Sequence, residues 1–310
     1  MTESRKNEKA FSASTVLASE AIGLFLGAAF QAARAFGEQL GQEESEEALH
    51  EFRLMLRRTR TLLKAVSAVF ADPAFEKFQE DLKIIFRQTS AARDIDASIE
   101  RICSSLNASL SQAPEETEDF LLFLKARQRE EQTAFHTLTE STAYTSTLAR
   151  WQQLATAGPR GADNMSFGTF ARDALNFFLS RADEAFGKFR ETPTAGNLHS
   201  YRKRMKDVRY LLEFLAVMLP SPAKIRICAD LKVFLKALGK RQDAVVMKSL
   251  LEAWLSRPRQ ENGQDKKALE SVFGASGTER RGEVKRLFPW REATCVRAGI
   301  HEILASLGNR

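Results

Sequence analysis

The chain has 310 residues, of which 44% are apolar and 28% are charged, and its formal net charge is +6. This composition predicts a folded protein and excludes an intrinsically disordered one. Three cysteines, Cys103, Cys228 and Cys295, lie far apart without a CxxC pair, which argues against a disulfide or zinc framework and for a reducing compartment.

The first half of the chain is predicted to be helical. Good helix formers dominate it, and no segment shows the period-two alternation of a β-strand. We predict helices at 12–39, 46–70, 74–89, 92–109, 115–141 and 145–155. The uncharged run 21–33 follows Glu20 and is too short to span a bilayer. We therefore expect an N-terminal core helix, a cytoplasmic protein and no membrane partner.

A breaker cluster, AGPRGADN at 157–164, separates the two halves. Beyond it we predict helices at 166–190, 195–219, 222–238, 241–256 and 291–307. The segment 257–290 has Pro, Gly and mixed charge, and it is predicted to be a long connection with one or two short helices. The predicted fold class is all-α, with two four-helix-type bundles: lobe one at about 10–156 and lobe two at about 165–310.

Two basic segments repeat each other at an offset of 149 residues without a gap. The first reads LHEFRLMLRRTRTLLK (49–64) and the second reads LHSYRKRMKDVRYLLE (198–213). The register continues to DLKIIFR (81–87) and DLKVFLK (230–236). The aligned basic pairs are His50/His199, Arg53/Arg202, Arg57/Lys206 and Arg60/Arg209. A gapless match of this length indicates an internal duplication, and we predict a pseudo-twofold relation between the lobes.

The positive charge of the chain is concentrated in these two segments. Residues 50–64 carry +4, residues 199–213 carry +3, and the remainder sums to −1. On a helix, the aligned cations lie within about 80° of one another. Lys64 extends the first stripe, whereas Glu213 stands at its counterpart. We expect the off-stripe cations Arg58, Lys203 and Arg204 to be solvated.

A second cationic pair lies downstream in each half, Lys83 and Arg87 in the first and Lys232 and Lys236 in the second. One interpretation is that all these cations form solvated faces joined to glutamates by salt bridges. The other is an anion site built by both halves across a groove or pore. Like charges along one helix face repel one another and do not stabilise the helix. Because the same residue types recur at the same helical phase in both halves, we favour the anion site. Cations spread over four helices suit an extended polyanion.

The two basic motifs resemble the hallmark segments of the CHAD family, the conserved histidine α-helical domain. AARDIDA (91–97) and LGKRQDAVV (238–246) resemble the segments that follow them. The resemblance covers about 12–307 and implies two four-helix bundles around a basic central pore or surface. It also implies binding of inorganic polyphosphate and association with polyphosphate granules. The ExExK motif of the triphosphate-tunnel enzymes often fused to this family is absent, so we expect a stand-alone CHAD protein.

The resemblance also implies which residues contact polyphosphate. In lobe one they are His50, Arg53, Arg57, Arg60, Lys64, Lys83 and Arg87. In lobe two they are His199, Arg202, Lys206, Arg209, Lys232 and Lys236. The histidines lack HxH, HExxH or Cys/His partners, so we expect no metal and no cofactor.

Two other functions remain open at this point. An enzyme acting on polyphosphate or a phosphate ester would need carboxylates to hold a metal, and Asp94, Asp96 and Asp243 are the acids near the basic array. A nucleic-acid-binding protein would need exposed aromatic side chains, and only Tyr201 and Tyr210 lie near the stripes. We therefore expect a protein that is not an enzyme, with polyphosphate rather than nucleic acid as its partner and other polyanions as alternatives.

Overall fold

The computed structural model describes residues 16–42, 46–109, 115–218, 222–256, 296, 298–304 and 307. Within these ranges the chain is all-α, and its single β-type feature is an isolated bridge between Leu17 and Ser166. None of the helices described is long and apolar enough to cross a membrane. The predicted connection at 257–290 lies outside the described residues.

Nine α-helices follow one another along this part of the chain. They are α1 (Ala18–Gln42), α2 (Glu46–Phe70), α3 (Pro73–Gln88), α4 (Ser90–Ser109), α5 (Glu115–Thr139), α6 (Thr142–Ala157), α7 (Phe167–Glu191), α8 (Ala195–Met218) and α9 (Pro222–Leu255). A 3₁₀ turn at Ala162–Asn164 lies in the predicted crossover, and residues 298–304 are helical. The all-α prediction is confirmed.

Short polar side chains fix where several of these helices begin. The Asp72 carboxylate accepts a hydrogen bond from the backbone N–H of Ala74, and Pro73 occupies the first turn of α3. Ser141 and Ser166 accept in the same way from N–H groups of α6 and α7. At the end of α6, Gly158 adopts a φ of 66°, a conformation that suits glycine. These signals explain why most predicted boundaries agree with the structure to within a few residues.

Helix α9 differs from the prediction because it is one continuous helix and not two. We predicted a break between 238 and 241, whereas the helix runs from Pro222 to Leu255. An isolated glycine such as Gly239 is tolerated inside a helix when packing compensates its lower propensity. Here the guanidinium of Arg202 packs against Gly239. A Cβ atom at this position would lie only 2.9 Å from Arg202 Nη2.

The larger of two hydrophobic cores extends through both halves of the chain. Helices α2 and α1 contact α7, and α2 also contacts α8. The Phe214 ring of α8 packs against Phe25 of α1 and Phe167 of α7, with ring centroids 5.0 and 5.4 Å apart. Because the core is shared, α2 and α8 are held against each other.

A second, smaller core joins the end of α9 to α4 and α5. Trp254 is fully buried there, its ring packs against Phe120, and its indole N–H donates to the Asp119 carboxylate at 3.1 Å. The continuous α9 therefore begins against α8 in lobe two and ends against lobe one. This contact gives the two halves a second connection, far from α2 and α8 in sequence.

Candidate functional site

A basic cavity of about 220 Å³ lies between α2 and α8. Its lining includes six lysines and arginines and, among the residues that the structure describes, a single carboxylate. The lining residues are Arg57, Arg60, Thr61, Lys64, Phe86, His199, Arg202, Lys203, Lys206, Asp207 and Tyr210. Both halves of the chain therefore contribute cations to one concave site.

The thirteen residues predicted to contact polyphosphate divide into two groups. Those that line the cavity are Arg57, Arg60, Lys64, His199, Arg202 and Lys206. Those outside its lining are His50, Arg53, Lys83, Arg87, Arg209, Lys232 and Lys236. In this second group His50, Arg87, Lys232 and Lys236 are exposed, and Lys83 forms an ion pair with Glu80 at 2.8 Å. The predicted array thus comprises an inner cavity and an outer, solvated surface.

Arg53 is buried and bound to protein. Only 8% of its surface is exposed, and its Nη1 donates to the backbone carbonyl of Phe86 at 3.0 Å and to Thr89 Oγ1 at 2.6 Å. Ser90 Oγ accepts a longer hydrogen bond from the same nitrogen, at 3.4 Å. Arg53 therefore ties α2 to the junction between α3 and α4.

The aligned arginine of the second half, Arg202, reaches the aligned position of α9, where the helix is continuous. Arg202 lies against Gly239, which is the counterpart of Ser90 at the offset of 149 residues. The two arginines thus occupy corresponding places, one beside a helix break and the other beside a glycine within α9. Unlike Arg53, Arg202 also lines the cavity.

Three guanidinium groups surround the ring of Phe86. The Cζ atoms of Arg53, Arg57 and Arg60 lie 4.3, 5.1 and 4.9 Å from its centroid. Phe86 is half-buried at the end of α3 and lines the cavity. An aromatic face attracts cations, so the ring holds together charges that would otherwise repel one another.

Two ion pairs join α2 to α8 across the lobes. Lys64 Nζ donates to both carboxylate oxygens of Asp207 at 2.9 Å, and Arg58 pairs with Glu213 at 3.4 Å. Lys64 follows Arg58 by six residues on α2, whereas its partner Asp207 precedes Glu213 by six residues on α8. The two helices therefore run antiparallel. At the 149-residue offset, Arg58 aligns with Asp207 and Lys64 with Glu213. The two aligned positions that carry charges of opposite sign in the repeats are thus the ones that pair across the lobes.

Burial and mutual repulsion lower the pKa values of Arg53, beside the cavity, and of Arg60 and Lys64, which line it. Burial, followed by repulsion from Arg57, lowers the pKa of Arg53 to about 10. Burial is also the main cause of the lowered pKa values of Arg60 and Lys64, and Asp207 opposes the shift at both. At neutral pH these groups are still charged, so the protein holds desolvated positive charge that an anion would stabilise.

Two of the acids considered for metal-dependent catalysis, Asp94 and Asp96, lie outside the cavity lining. Asp96 is buried, and its Oδ1 accepts a hydrogen bond from Gln128 at 2.8 Å, while Asp94 is exposed. The side chain of Asp243 lies outside the described part of the structure. Within that part, no group of three His, Cys, Asp or Glu side chains is arranged to hold a metal ion.

Five residues of the cavity lining were not among the predicted contacts: Thr61, Phe86, Lys203, Asp207 and Tyr210. Lys203 was expected to be solvated, and its place in the cavity lining does not contradict that expectation. Lys203 lies off the stripe on a helical projection, yet a long side chain reaches a cavity formed between two helices. Phe86 could have been noticed because it stands beside Arg87 on the charged helix α3, where the second repeat has Leu235.

Comparisons with known proteins identify the family. A family model for the CHAD domain matches residues 25–252. The fold is similar to the crystal structure of the CHAD domain from the plant Ricinus communis, with a TM-score of 0.68 and 22% identity, covering 97% of this chain and 96% of that one. It is also similar to PptA from Streptomyces chartreusis, with a TM-score of 0.63 and 16% identity, covering 92% and 98%. No curated protein matches the chain. Since the family model spans more than half of its length, the chain belongs to the CHAD family.

Proposed function

We propose that this CHAD protein binds inorganic polyphosphate, without reacting with it, through the cavity between α2 and α8. The observation that carries the proposal is the excess of cations over carboxylates in a concave site supplied by both halves of the chain. Guanidinium groups match phosphate oxygens in a bidentate manner, and lysines add mobile charge. The polyphosphate binding that the family resemblance implies supports the same ligand.

An extended polyanion accounts for the outer cations as well as for the cavity. Exposed Arg87 on α3 and exposed Lys232 and Lys236 on α9 continue the positive surface beyond the cavity lining. We take the lobes to be products of an internal duplication around a pseudo-twofold axis that passes between α2 and α8. The cross-lobe pairs at corresponding positions support that relation. Such a protein would direct itself to polyphosphate granules in the cytoplasm.

Titration with long-chain polyphosphate at increasing salt concentration tests this function. With six phosphate contacts of the kind known for DNA, affinity should fall about a thousandfold between 50 and 200 mM salt. A flat salt response would contradict the proposal. Competition with single-stranded DNA of matched charge decides between polyphosphate and nucleic acid, and we expect polyphosphate to compete more strongly.

Polyphosphate binding should be accompanied by proton uptake at His50. Partial desolvation, with repulsion from Arg93 and Arg57, lowers the pKa of His50 in the free protein. A bound anion opposes that shift, so the complex binds more protons and affinity rises as pH falls below about 6.5. Calorimetry in buffers of different ionisation enthalpy measures the uptake. His50→Gln should reduce it, whereas His136→Gln, on an exposed face of α5, should not. Equal uptake in wild type and His50→Gln would exclude a contact at His50.

Gly239→Ala should separate stability from binding. An added Cβ would stand 2.9 Å from Arg202 Nη2 and displace this guanidinium from its place beside the cavity. We expect the free energy of unfolding to be unchanged or raised by up to about 1 kcal/mol, because alanine favours helix over glycine. Polyphosphate affinity should fall about fivefold through the disturbed charge-assisted contact.

Gly187→Ala on α7 is the matched control for this change. A Cβ at Gly187 meets nothing within 4 Å, so the variant should gain helix stability and keep its affinity. Chemical denaturation and a binding titration measure both quantities. Full affinity in Gly239→Ala would show that the position of Arg202 is unimportant for binding.

A further inference from the structure

Phe86 is placed to control the arrangement of the cavity arginines. Its ring is the common neighbour of Arg57 and Arg60, whose Cζ atoms lie 5.1 and 4.9 Å from the centroid. Both arginines and the ring line the cavity. A free arginine samples many rotamers, and ordering it costs affinity when a ligand binds. A ring that orders both side chains in the free protein removes part of that cost.

The backbone of Phe86 is itself held firmly. Its carbonyl oxygen accepts hydrogen bonds from Arg53, Thr89 Oγ1 and Ser90 Oγ, each at 3.0 Å. The guanidinium of Arg53 also stacks on the Phe86 ring, with its Cζ atom 4.3 Å from the ring centroid, and the Arg53 side chain is itself buried. The ring is therefore part of a fixed support at the end of α3 and does not move freely with the arginines.

The second lobe lacks this support. The counterpart of Phe86 is Leu235, a buried aliphatic residue within the continuous helix α9. The counterparts of Thr89 and Ser90 are Leu238 and Gly239, which carry no hydroxyl. The cavity is thus asymmetric, with ring-supported arginines from α2 facing cations from α8 that have no aromatic residue at the corresponding place.

We propose that Phe86 is a positioning residue of the polyanion site, holding Arg57 and Arg60 in the cavity in the arrangement that binds phosphate. The inference rests on the proposed function, because it assigns a role within the same cavity. Phe86 touches no phosphate in this account and acts through the two arginines.

Phe86→Leu, which copies the residue of lobe two, tests the inference. Polyphosphate affinity should fall about 5- to 30-fold through the loss of two cation–π contacts. The dependence of log Kd on log salt should keep its slope, because the number of charges that meet the ligand is unchanged. Phe86→Trp should restore the affinity. By contrast, Arg57→Gln should lower the affinity together with the slope.

Phe177→Leu is the matched control. Phe177 is a half-buried ring on α7 that carries Arg181 at 5.4 Å but does not line the cavity. This variant loses a comparable ring and cation–π contact and should bind polyphosphate like the wild type. Thermal unfolding of both leucine variants shows whether a loss of affinity reflects a loss of folding.

A second measurement decides the inference in the free protein. NMR relaxation of the Arg57 and Arg60 side-chain Nε–H groups should show greater mobility in Phe86→Leu than in the wild type. Wild-type affinity in Phe86→Leu, a weakened affinity that tryptophan does not restore, or unchanged arginine mobility would each overturn the inference. Failure of the wild type to bind polyphosphate would instead overturn the proposed function, and the relaxation data would still report whether Phe86 orders the arginines.

Discussion

Replacing Arg57 and Lys206 together by glutamine is expected to weaken polyphosphate binding about 100-fold or more at low salt. These residues are counterparts in the two repeats, and both line the cavity. A hydrogen bond to a charged group contributes about 1.5–3 kcal/mol, so the loss of two such contacts gives an effect of this size. The salt dependence should become shallower by roughly one unit of slope for each charge removed.

Lys188→Gln with Arg190→Gln provides the matched control for this double variant. Both residues are exposed at the end of α7, and the net charge changes by the same amount as in the cavity variant. Equal losses of affinity in the two double variants would mean that net charge, and not the cavity, determines binding. A binding titration of each at two salt concentrations is sufficient.

Asp207→Ala is expected to lower the free energy of unfolding by about 3 kcal/mol. The Asp207 side chain is 9% exposed and binds Lys64 through both oxygens, and it also opposes the lowered pKa of Arg60. Removing it leaves the half-buried Lys64 without this carboxylate among other cations, and unpairing a fully buried charge costs about 3–5 kcal/mol, so we expect the lower end of that range. Chemical denaturation measures the loss.

The corresponding change in the second ion pair between α2 and α8, Glu213→Ala, should cost about 1 kcal/mol or less. Its pair with Arg58 is more exposed and longer, at 3.4 Å. Added polyphosphate should stabilise Asp207→Ala more than it stabilises the wild type, because an anion would replace the missing carboxylate beside Lys64. A loss in Glu213→Ala as large as that in Asp207→Ala would contradict the special role of the cavity pair.

The helices of this protein could be predicted because their signals are local. Asp72 followed by Pro73, and serines at 141 and 166, mark helix starts that need no tertiary information. The continuity of α9 could not be predicted in this way. Whether a helix passes through Gly239 depends on the packing of Arg202 from another helix, and a single-sequence pattern carries no record of that contact.

The sequence predicts which helix face carries each cation of the candidate site, but it does not predict which residues each cation contacts. A helical projection correctly places Arg57 and Lys206 on charged stripes, and the structure brings both to one cavity. The same projection grouped Arg53 with them, although Arg53 is buried and bound to the α3–α4 junction. What distinguishes these arginines is the part of the protein that each side chain reaches, the α3–α4 junction for Arg53 and the cavity for Arg57.

The positions at which the two repeats carry opposite charges form the ion pairs between the lobes. Lys64 opposite Glu213 in the alignment first looked like a weakened stripe. In the folded chain Lys64 pairs with Asp207 and Glu213 pairs with Arg58, because the antiparallel crossing of α2 and α8 brings unlike repeat positions together. Pairing between lobes requires their relative orientation, which the alignment of the repeats does not contain.

The location of bound polyphosphate tests the central claim most directly. A crystal structure of the protein with a short polyphosphate should show phosphate oxygens within hydrogen-bond distance of Arg57 and Arg60 from α2 and of Lys206 from α8. Phosphate bound only at the outer cations, such as Lys83 or Lys232, with the cavity filled by water alone, would contradict the claim that the space between the lobes is the binding site.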